Sequence, residues 1–384
     1  MAPTPSLKIL LFGAPQVFLD TQPVENFISN KARALLFYLA VTRRPHTRDT
    51  LAGMFWGEMP NREARVNLRQ VLSNLRKICP EAFLIDRQNA AFNPEYPSTL
   101  DVAAFTARLE AWRAEPSSER ALTLLQEAAD LYRGEFLAGF YLSDAPAFDE
   151  WVTLLRARFA EQSLQVHTAL ADLLLRRRRY PQAIRHLRQV LEMDPWRENA
   201  HRHLMMAFAR LGDYQAALSQ YHTCKTVLAA ELDVLPSPET RLLYERIKAR
   251  RDRPAGSLPR QPTAFIGRAA ETETVQRTLT AQTCRWLTIT GLGGAGKTRL
   301  ALEAAARMQP LFFDGVFFVP LASVRTVQGV VSAIGEALGL DFEEQGSRAA
   351  QLENHLRSRE ILLVLDNCEH LSAAVPYLER LLER

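Results

Sequence analysis

Between Pro60 and Cys79 the apolar and polar positions separate onto two faces. At about 100° per residue, Ala64, Leu68, Val71, Leu72, Leu75 and Ile78 fall on one stripe, which predicts a helix docked on a core. Opposite them lie Arg62, Val66, Arg69, Gln70, Ser73, Arg76 and Lys77, with the acidic Glu63 towards the edge. Arg grips a phosphate or the O6/N7 edge of guanine with two hydrogen bonds, Gln does the same to adenine, and an apolar side chain meets a thymine methyl. The face therefore suits a DNA major groove. Taken alone, such a face is more often a solvated helix surface, so the flanking pattern decides.

Upstream, Leu7 to Leu19 predicts two short strands joined at Gly13 to Pro15,. Ser29 or Asn30 caps a helix through Lys31, Arg33, Leu35, Leu36, Tyr38 and Leu39. A second helix starts at Thr47, an N-cap with Asp49 in the first turn, and reaches Trp56,. Downstream, FLIDRQNAAFN places two apolar stretches around a polar Asp86 to Asn89 tip, a hairpin signal,. Strands, three helices and a terminal hairpin make a winged helix-turn-helix, with Arg87 on the wing.

The segment Lys8 to Asp101, through KARALLFYLAV, RDTLAGMFWGE, ARVNLRQVLSNLRK and the closing LDVAAF, resembles the SARP-type transcriptional activators. The resemblance implies a response-regulator-like winged helix followed by a bacterial transcriptional activator domain. It implies a helix from Pro60 to Cys79 in the major groove, the wing in the adjacent minor groove, and tandem binding to promoter direct repeats about one DNA turn apart. The DNA-facing set expected is Lys31, Arg48, Arg62, Arg65, Arg69, Gln70, Ser73, Arg76, Lys77 and Arg87. Double-stranded promoter DNA, RNA polymerase and a homo-oligomer on tandem sites are the partners implied.

From Val102 to Arg250 the pattern is helical, with breaks at Pro116, Gly134, Pro146, Pro181, Pro195, Gly212 and Pro236,. Tyr180 and Tyr214 are 34 residues apart, and the same offset relates His167 to His201, Leu170 to Leu204, Leu174 to Phe208, Ala183 to Ala217 and Ile184 to Leu218. That period belongs to tetratricopeptide helix pairs. The run Arg176 to Arg179 reads as a solvated helix end favoured by the dipole, and the histidines read as surface or packing residues.

The third region contains WLTITGLGGAGKTRLALEAAARM, where Gly291, Gly296, Lys297 and Thr298 fit G-x-x-x-x-G-K-[ST] with Gly293 and Gly294 inside the loop,. A strand at Trp286 to Thr290 and a helix from Lys297 to Met308 are expected to flank it. Glycines let backbone N–H groups close around phosphate oxygens, Lys297 offsets their charge, and Thr298 offers a hydroxyl to Mg²⁺. Ile361 to Leu365 reads as a buried strand ending in Asp366, a Walker-B carboxylate for the same Mg²⁺. Together FIGR, GLGGAGKTRLA and LLVLDNCEHL resemble the STAND class of signalling NTPases, which implies ATP or ADP with Mg²⁺ as ligand. That class usually has an acidic residue after the Walker-B Asp. Here it is Asn367, so no catalytic residue is assigned and a slow switch or nucleotide sensor is expected rather than a turnover enzyme. The sheet order implied puts a further strand between the P-loop and Walker-B strands, later in sequence than both. None follows Leu371 to Arg384, so a truncated or split-gene product, or a fragment, with a crippled nucleotide site is expected. ATP binding at micromolar affinity would contradict that.

Composition changes this picture little. Hydrophobic residues at 47% and charged residues at 23% describe a folded multidomain chain,, and the net charge of +4 says less than its concentration in Pro60 to Cys79. Cys79, Cys224, Cys284 and Cys368 form no CxxC pair,. No apolar run reaches membrane-spanning length, and a reducing cytoplasm is expected. The fold class is multidomain and mainly α: a winged helix-turn-helix at 1–100, a tetratricopeptide-like activator domain at 101–250, a linker at 251–262 and a partial α/β P-loop NTPase at 263–384. The function expected is a DNA-binding transcriptional regulator with a nucleotide switch. The alternative is a STAND-type ATPase or tetratricopeptide adaptor in which the winged helix serves targeting or protein contacts.

Overall fold

Strand β1 (Leu7–Leu10) pairs antiparallel with β2 (Gln16–Leu19), and β2 with β3 (Gln22–Pro23), as the apolar alternation around the Gly13–Pro15 turn requires. This computed structural model describes residues 5–252, 258–261, 263–281, 284–357 and 359–383. Helix α1 (Asn30–Thr42) starts where the Ser29 hydroxyl accepts from the Ala32 N–H,. After β4 (His46–Thr47), α2 (Arg48–Trp56) is capped by the Thr47 hydroxyl accepting from Thr50 N–H. Helix α3 (Asn61–Ile78) buries Ala64, Leu68, Val71, Leu72 and Leu75. Three leucines and a valine, each worth about 1.5–3 kcal/mol when buried, hold it to the core.

The hairpin of β5 (Phe83–Ile85) and β6 (Asn89–Phe92) joins β4 in a three-stranded sheet, β4-β6-β5. Strand β7 (Ser98–Leu100) returns to pair parallel with β1, giving the order β3-β2-β1-β7. The chain then passes without a linker into α4 (Asp101–Ala114). At that junction the Asp101 side chain is 1% exposed and accepts from the N–H groups of Leu11 (2.9 Å), Phe12 (3.0 Å) and Val102 (2.9 Å), with Arg133 at 3.2 Å. A bridge between Phe12 and Phe136 adds a second tie. One buried cluster runs from Leu7 to Ala183, so the N-terminal sheets and helices share a core with α4 and the helices that follow it.

The helical region comprises α5 (Ala121–Leu131), α6 (Pro146–Arg176), α7 (Tyr180–Met193), α8 (Glu198–Arg210), α9 (Tyr214–Leu232) and α10 (Pro238–Asp252). The 34-residue repeat is real in the helix limits: α6 and α8 end at Arg176 and Arg210, while α7 and α9 begin at Tyr180 and Tyr214. Ala183 and Ala217 are both fully buried, the close approach that a small residue allows,. Arg176 to Arg179 are exposed.

The chain divides into two compact units, 1–207 with 230–232 and 208–229 with 233–384. In the second, α9 and α10 meet through Tyr221 stacked on Tyr244 at 4.2 Å. Helix α11 (Ala269–Thr280) and α12 (Lys297–Met308) precede β8 (Gly315–Pro320), α13 (Val327–Leu338), α14 (Arg348–Leu356), β9 (Ile361–Asp366) and α15 (Val375–Glu383). Strands β8 and β9 are parallel, in register from Gly315↔Ile361 to Pro320↔Asp366. Of the expected linker, Arg251 and Asp252 end α10, and residues 253–257 and 262 lie outside the described residues.

One element differs from expectation. Trp286 to Thr290, expected as a strand, carries no ladder hydrogen bonds and is largely exposed, with Trp286 41% and Leu287 36% accessible. A strand exists only against a neighbour, and among the described residues β8 and β9 pair with each other and with nothing else.

Candidate functional site

Helix α3 presents Arg62, Val66, Arg69, Gln70, Ser73, Arg76 and Lys77 to solvent. Val66 among them is 44% exposed. Arg62, Arg69, Gln70, Ser73 and Lys77 are left free of partners among the described residues, so their donors remain open. Arg76 is engaged instead: its guanidinium donates to the Ile85 carbonyl at 2.6 Å, tying the end of α3 to the wing. The wing tip is an Asx turn in which the Asp86 carboxylate accepts from Gln88 N–H (2.6 Å) and Asn89 N–H (2.7 Å),. Those bonds hold the Asp86 carboxyl below its ordinary pKa, and Arg87 stands exposed beside it.

Besides Arg76, three members of the expected DNA-facing set have partners or supporting roles of their own. Lys31 is 13% exposed, bonded to the exposed Asp144 carboxylate at 2.8 Å and lying over the Trp56 ring, so its ammonium is already engaged within the chain. Arg65 pairs with the Asp49 carboxylate at 2.7 Å while 61% exposed, a surface pair that an incoming phosphate can displace at little cost. Arg48 donates its backbone N–H to Gln88 at 2.9 Å, supporting the wing, and its Nε is buried without a partner.

The second site is the loop into α12. Gly291, Gly294 and Gly296 adopt φ of 158°, 77° and 75°, and the latter two lie in the left-handed region that a side chain would strain. Gly293 completes the cradle, and α12 begins at Lys297 with no acidic residue in its first turn, leaving its N-terminal dipole open to an anion. The Lys297 ammonium donates to the carbonyls of Gly291 (2.8 Å) and Leu292 (3.1 Å). Thr298 Oγ1 donates to Asp366 Oδ1 at 2.7 Å. Two hard oxygen ligands from separate elements thus lie side by side, the donor set Mg²⁺ prefers. The residues fit phosphate and Mg²⁺.

Two family matches and several relatives bear on this geometry. The bacterial transcriptional activator domain family matches residues 100–248, and the NB-ARC domain family matches residues 268–371. The regulatory protein AfsR of Streptomyces griseus is 32% identical over 380 residues, 91% of this chain and 38% of that protein. The transcriptional regulatory protein EmbR of Mycobacterium tuberculosis is 32% identical over 248 residues, 62% of each chain. Over most of its length the chain is thus homologous to SARP-type regulators of the AfsR and EmbR kind, and it carries activator-domain and NB-ARC matches in that order. It spans about two fifths of the length of AfsR. A solved structure, Mycobacterium tuberculosis EmbR in complex with a low-affinity phosphopeptide, superposes with a TM-score of 0.51 at 26% identity, covering 72% of this chain and 73% of that one.

Two arginines beside the phosphate loop were not singled out by sequence. Arg299 donates to Thr263 O, Thr263 Oγ1 and Ala264 O, each at 2.7 Å, and pins the segment leading to Phe265–Arg268 against α12. Arg268 reaches the loop, since a Cβ placed on Gly296 would sit 3.8 Å from its Nη1. The position of Arg299 one residue after Lys297-Thr298 is the signal that could have found it. Among the described residues no helix is long and apolar enough to cross a membrane, and no group of three His, Cys, Asp or Glu is placed to hold a metal.

Replacing Lys297 by Ala removes the ammonium that offsets phosphate charge. Loss on the order of tenfold or more in affinity for a fluorescent ATP analogue is expected, with DNA affinity unchanged. A parallel loss of DNA binding would mean that the two sites are not independent.

Proposed function

We propose that this chain is a DNA-binding transcriptional regulator, an activator, whose helix α3 reads a promoter major groove while the wing at Arg87 reaches the adjacent minor groove. The observation that carries this reading is the open face of α3. Arg62, Arg69, Gln70, Ser73 and Lys77 are exposed and unengaged, on a helix whose reverse side is buried. Arg69 and Gln70 are the base-reading pair, and Arg62 and Lys77 hold phosphates. Arg76 and Arg48 position the wing rather than the bases.

The shared core from Leu7 to Ala183 sets α4 to α6 firmly behind α3, a platform suited to presenting a surface to RNA polymerase and to a second copy on a direct repeat. ATP or ADP with Mg²⁺ binds through Gly291, Gly293, Gly294, Gly296, Lys297, Thr298 and Asp366. Thr298 and Asp366 would hold the metal ion, which would supply charge neutralisation at the phosphates; Lys297 would turn from two loop carbonyls to phosphate oxygen, and the loop glycines would present N–H donors. Asn367 offers no carboxylate to a water, which favours a sensor over a turnover enzyme. The unpaired Trp286–Thr290 segment weakens that site.

Footprinting of the full chain on its own upstream DNA, with and without Mg-ATP, tests the reading. Two protected patches about one turn apart are expected. An unprotected promoter at concentrations that saturate any nonspecific binding would overturn it.

A further inference from the structure

Two arginines from the activator-domain helices close on one end of the β8–β9 ribbon, within a single compact unit. Arg246, on α10, makes a two-pronged bond to Asp314: Nε to Oδ1 at 3.1 Å and Nη2 to Oδ2 at 2.5 Å. Arg210, the last residue of α8, pairs with the Glu360 carboxylate and donates to the Leu311 carbonyl at 2.9 Å. The ring of Phe313 lies beneath both guanidinium groups, 5.3 Å from that of Arg210 and 5.7 Å from that of Arg246. Side-chain exposures of 13% for Arg210, 16% for Arg246 and 5% for Asp314 put these charges out of water, where paired geometry matters most.

Asp314 and Glu360 immediately precede β8 and β9 and lock the two strands together. Asp314 N–H donates to Glu360 O at 3.0 Å, and Glu360 N–H donates to the Asp314 carboxylate at 2.7 Å. At the far end of β9, about 20 Å along the strand, Asp366 receives the Thr298 hydroxyl. One strand therefore follows directly on a residue gripped by Arg210 and ends at the carboxylate placed for the metal ion.

We propose that Arg210 and Arg246 form a two-point latch that fastens the nucleotide domain to the activator-domain helices, and that it is released when Thr298 lets go of Asp366. This rests on the nucleotide reading above and names how that site is regulated. Both Thr298 Oγ1 and Asp366 would turn to a metal ion held with phosphate, and the unbroken six-residue register of β8 and β9 runs from that site to the latch. Coupling is reciprocal: opening the latch raises nucleotide affinity by the factor with which nucleotide favours opening.

Hydrogen exchange of the full chain reads the latch at the amides of α10. Arg210→Glu and Arg246→Ala are each expected to speed exchange across Pro238–Asp252 on the order of tenfold without nucleotide, and Arg210→Glu combined with Glu360→Arg to restore protection. Thr298→Val, which breaks the bond to Asp366 with no ligand present, is expected to speed the same amides, as is Mg-ATP on the unaltered chain. Unchanged α10 protection in the arginine variants overturns the latch, and so does failure of the exchanged pair to restore it. Unchanged protection in Thr298→Val overturns the release. If a fluorescent ATP analogue does not bind the unaltered chain, the nucleotide reading fails by itself, and the latch and its release are decided by the variants alone.

Discussion

Arg69→Ala should weaken binding to the cognate promoter by about 1–3 kcal/mol and flatten the preference at one base position, because a bidentate donor to a purine edge has no substitute on α3. Gln70→Ala should do the same at a neighbouring position. Lys77→Ala should act differently: affinity falls alike on every sequence, and the salt dependence loses about one phosphate contact. The contrast follows from where the side chains stand on a helix whose opposite stripe is fixed by Leu68, Val71, Leu72 and Leu75. Titrations against cognate and scrambled duplexes at two salt concentrations separate the two behaviours. Equal losses on both duplexes for Arg69→Ala would remove it from base reading.

Asp101→Ala should destabilise the first unit by about 3–5 kcal/mol, the cost of removing the acceptor from buried donors that have nowhere else to turn. Its carboxylate serves Leu11, Phe12 and Val102 N–H groups together with Arg133. It is the point at which the first sheet and α4 are joined. Asp101→Asn keeps one acceptor oxygen and should lose less. Urea unfolding of the full chain followed by circular dichroism measures the difference, and a loss below about 1 kcal/mol, the scale of a surface change, would mean the junction is held elsewhere. Because α3 and α4 belong to the same buried cluster, Asp101→Ala should also loosen α3 without touching it.

Elements set by local chemistry could be read from the sequence. Helix α3 announced itself by periodicity, α1 and α2 by Ser29 and Thr47, the wing by the Asp86–Asn89 tip, and α6 to α9 by a period of 34 residues. The phosphate loop needed only its glycines, Lys297 and Thr298. Features that depend on distant partners were not legible. Lys31 is held by Asp144, 113 residues away, a pairing that no local pattern on an N-terminal helix discloses. Trp286–Thr290 has a strand's composition, but a ladder requires a neighbour that no local pattern supplies. Asp101 and Asp314 look like ordinary turn or helix-start aspartates until their partners at Leu11 and Arg246 are brought in by the fold. Arg76 sits on the correct face of α3 yet turns towards Ile85, because the wing lies within reach of its long side chain.

The central claim is that Arg69 touches a base in the major groove, and guanine methylation interference tests it at atomic level. Methylating N7 of the contacted guanine should abolish binding by the unaltered chain and have no further effect on Arg69→Ala, which has already lost that contact. Identical interference patterns for the two proteins would contradict the account.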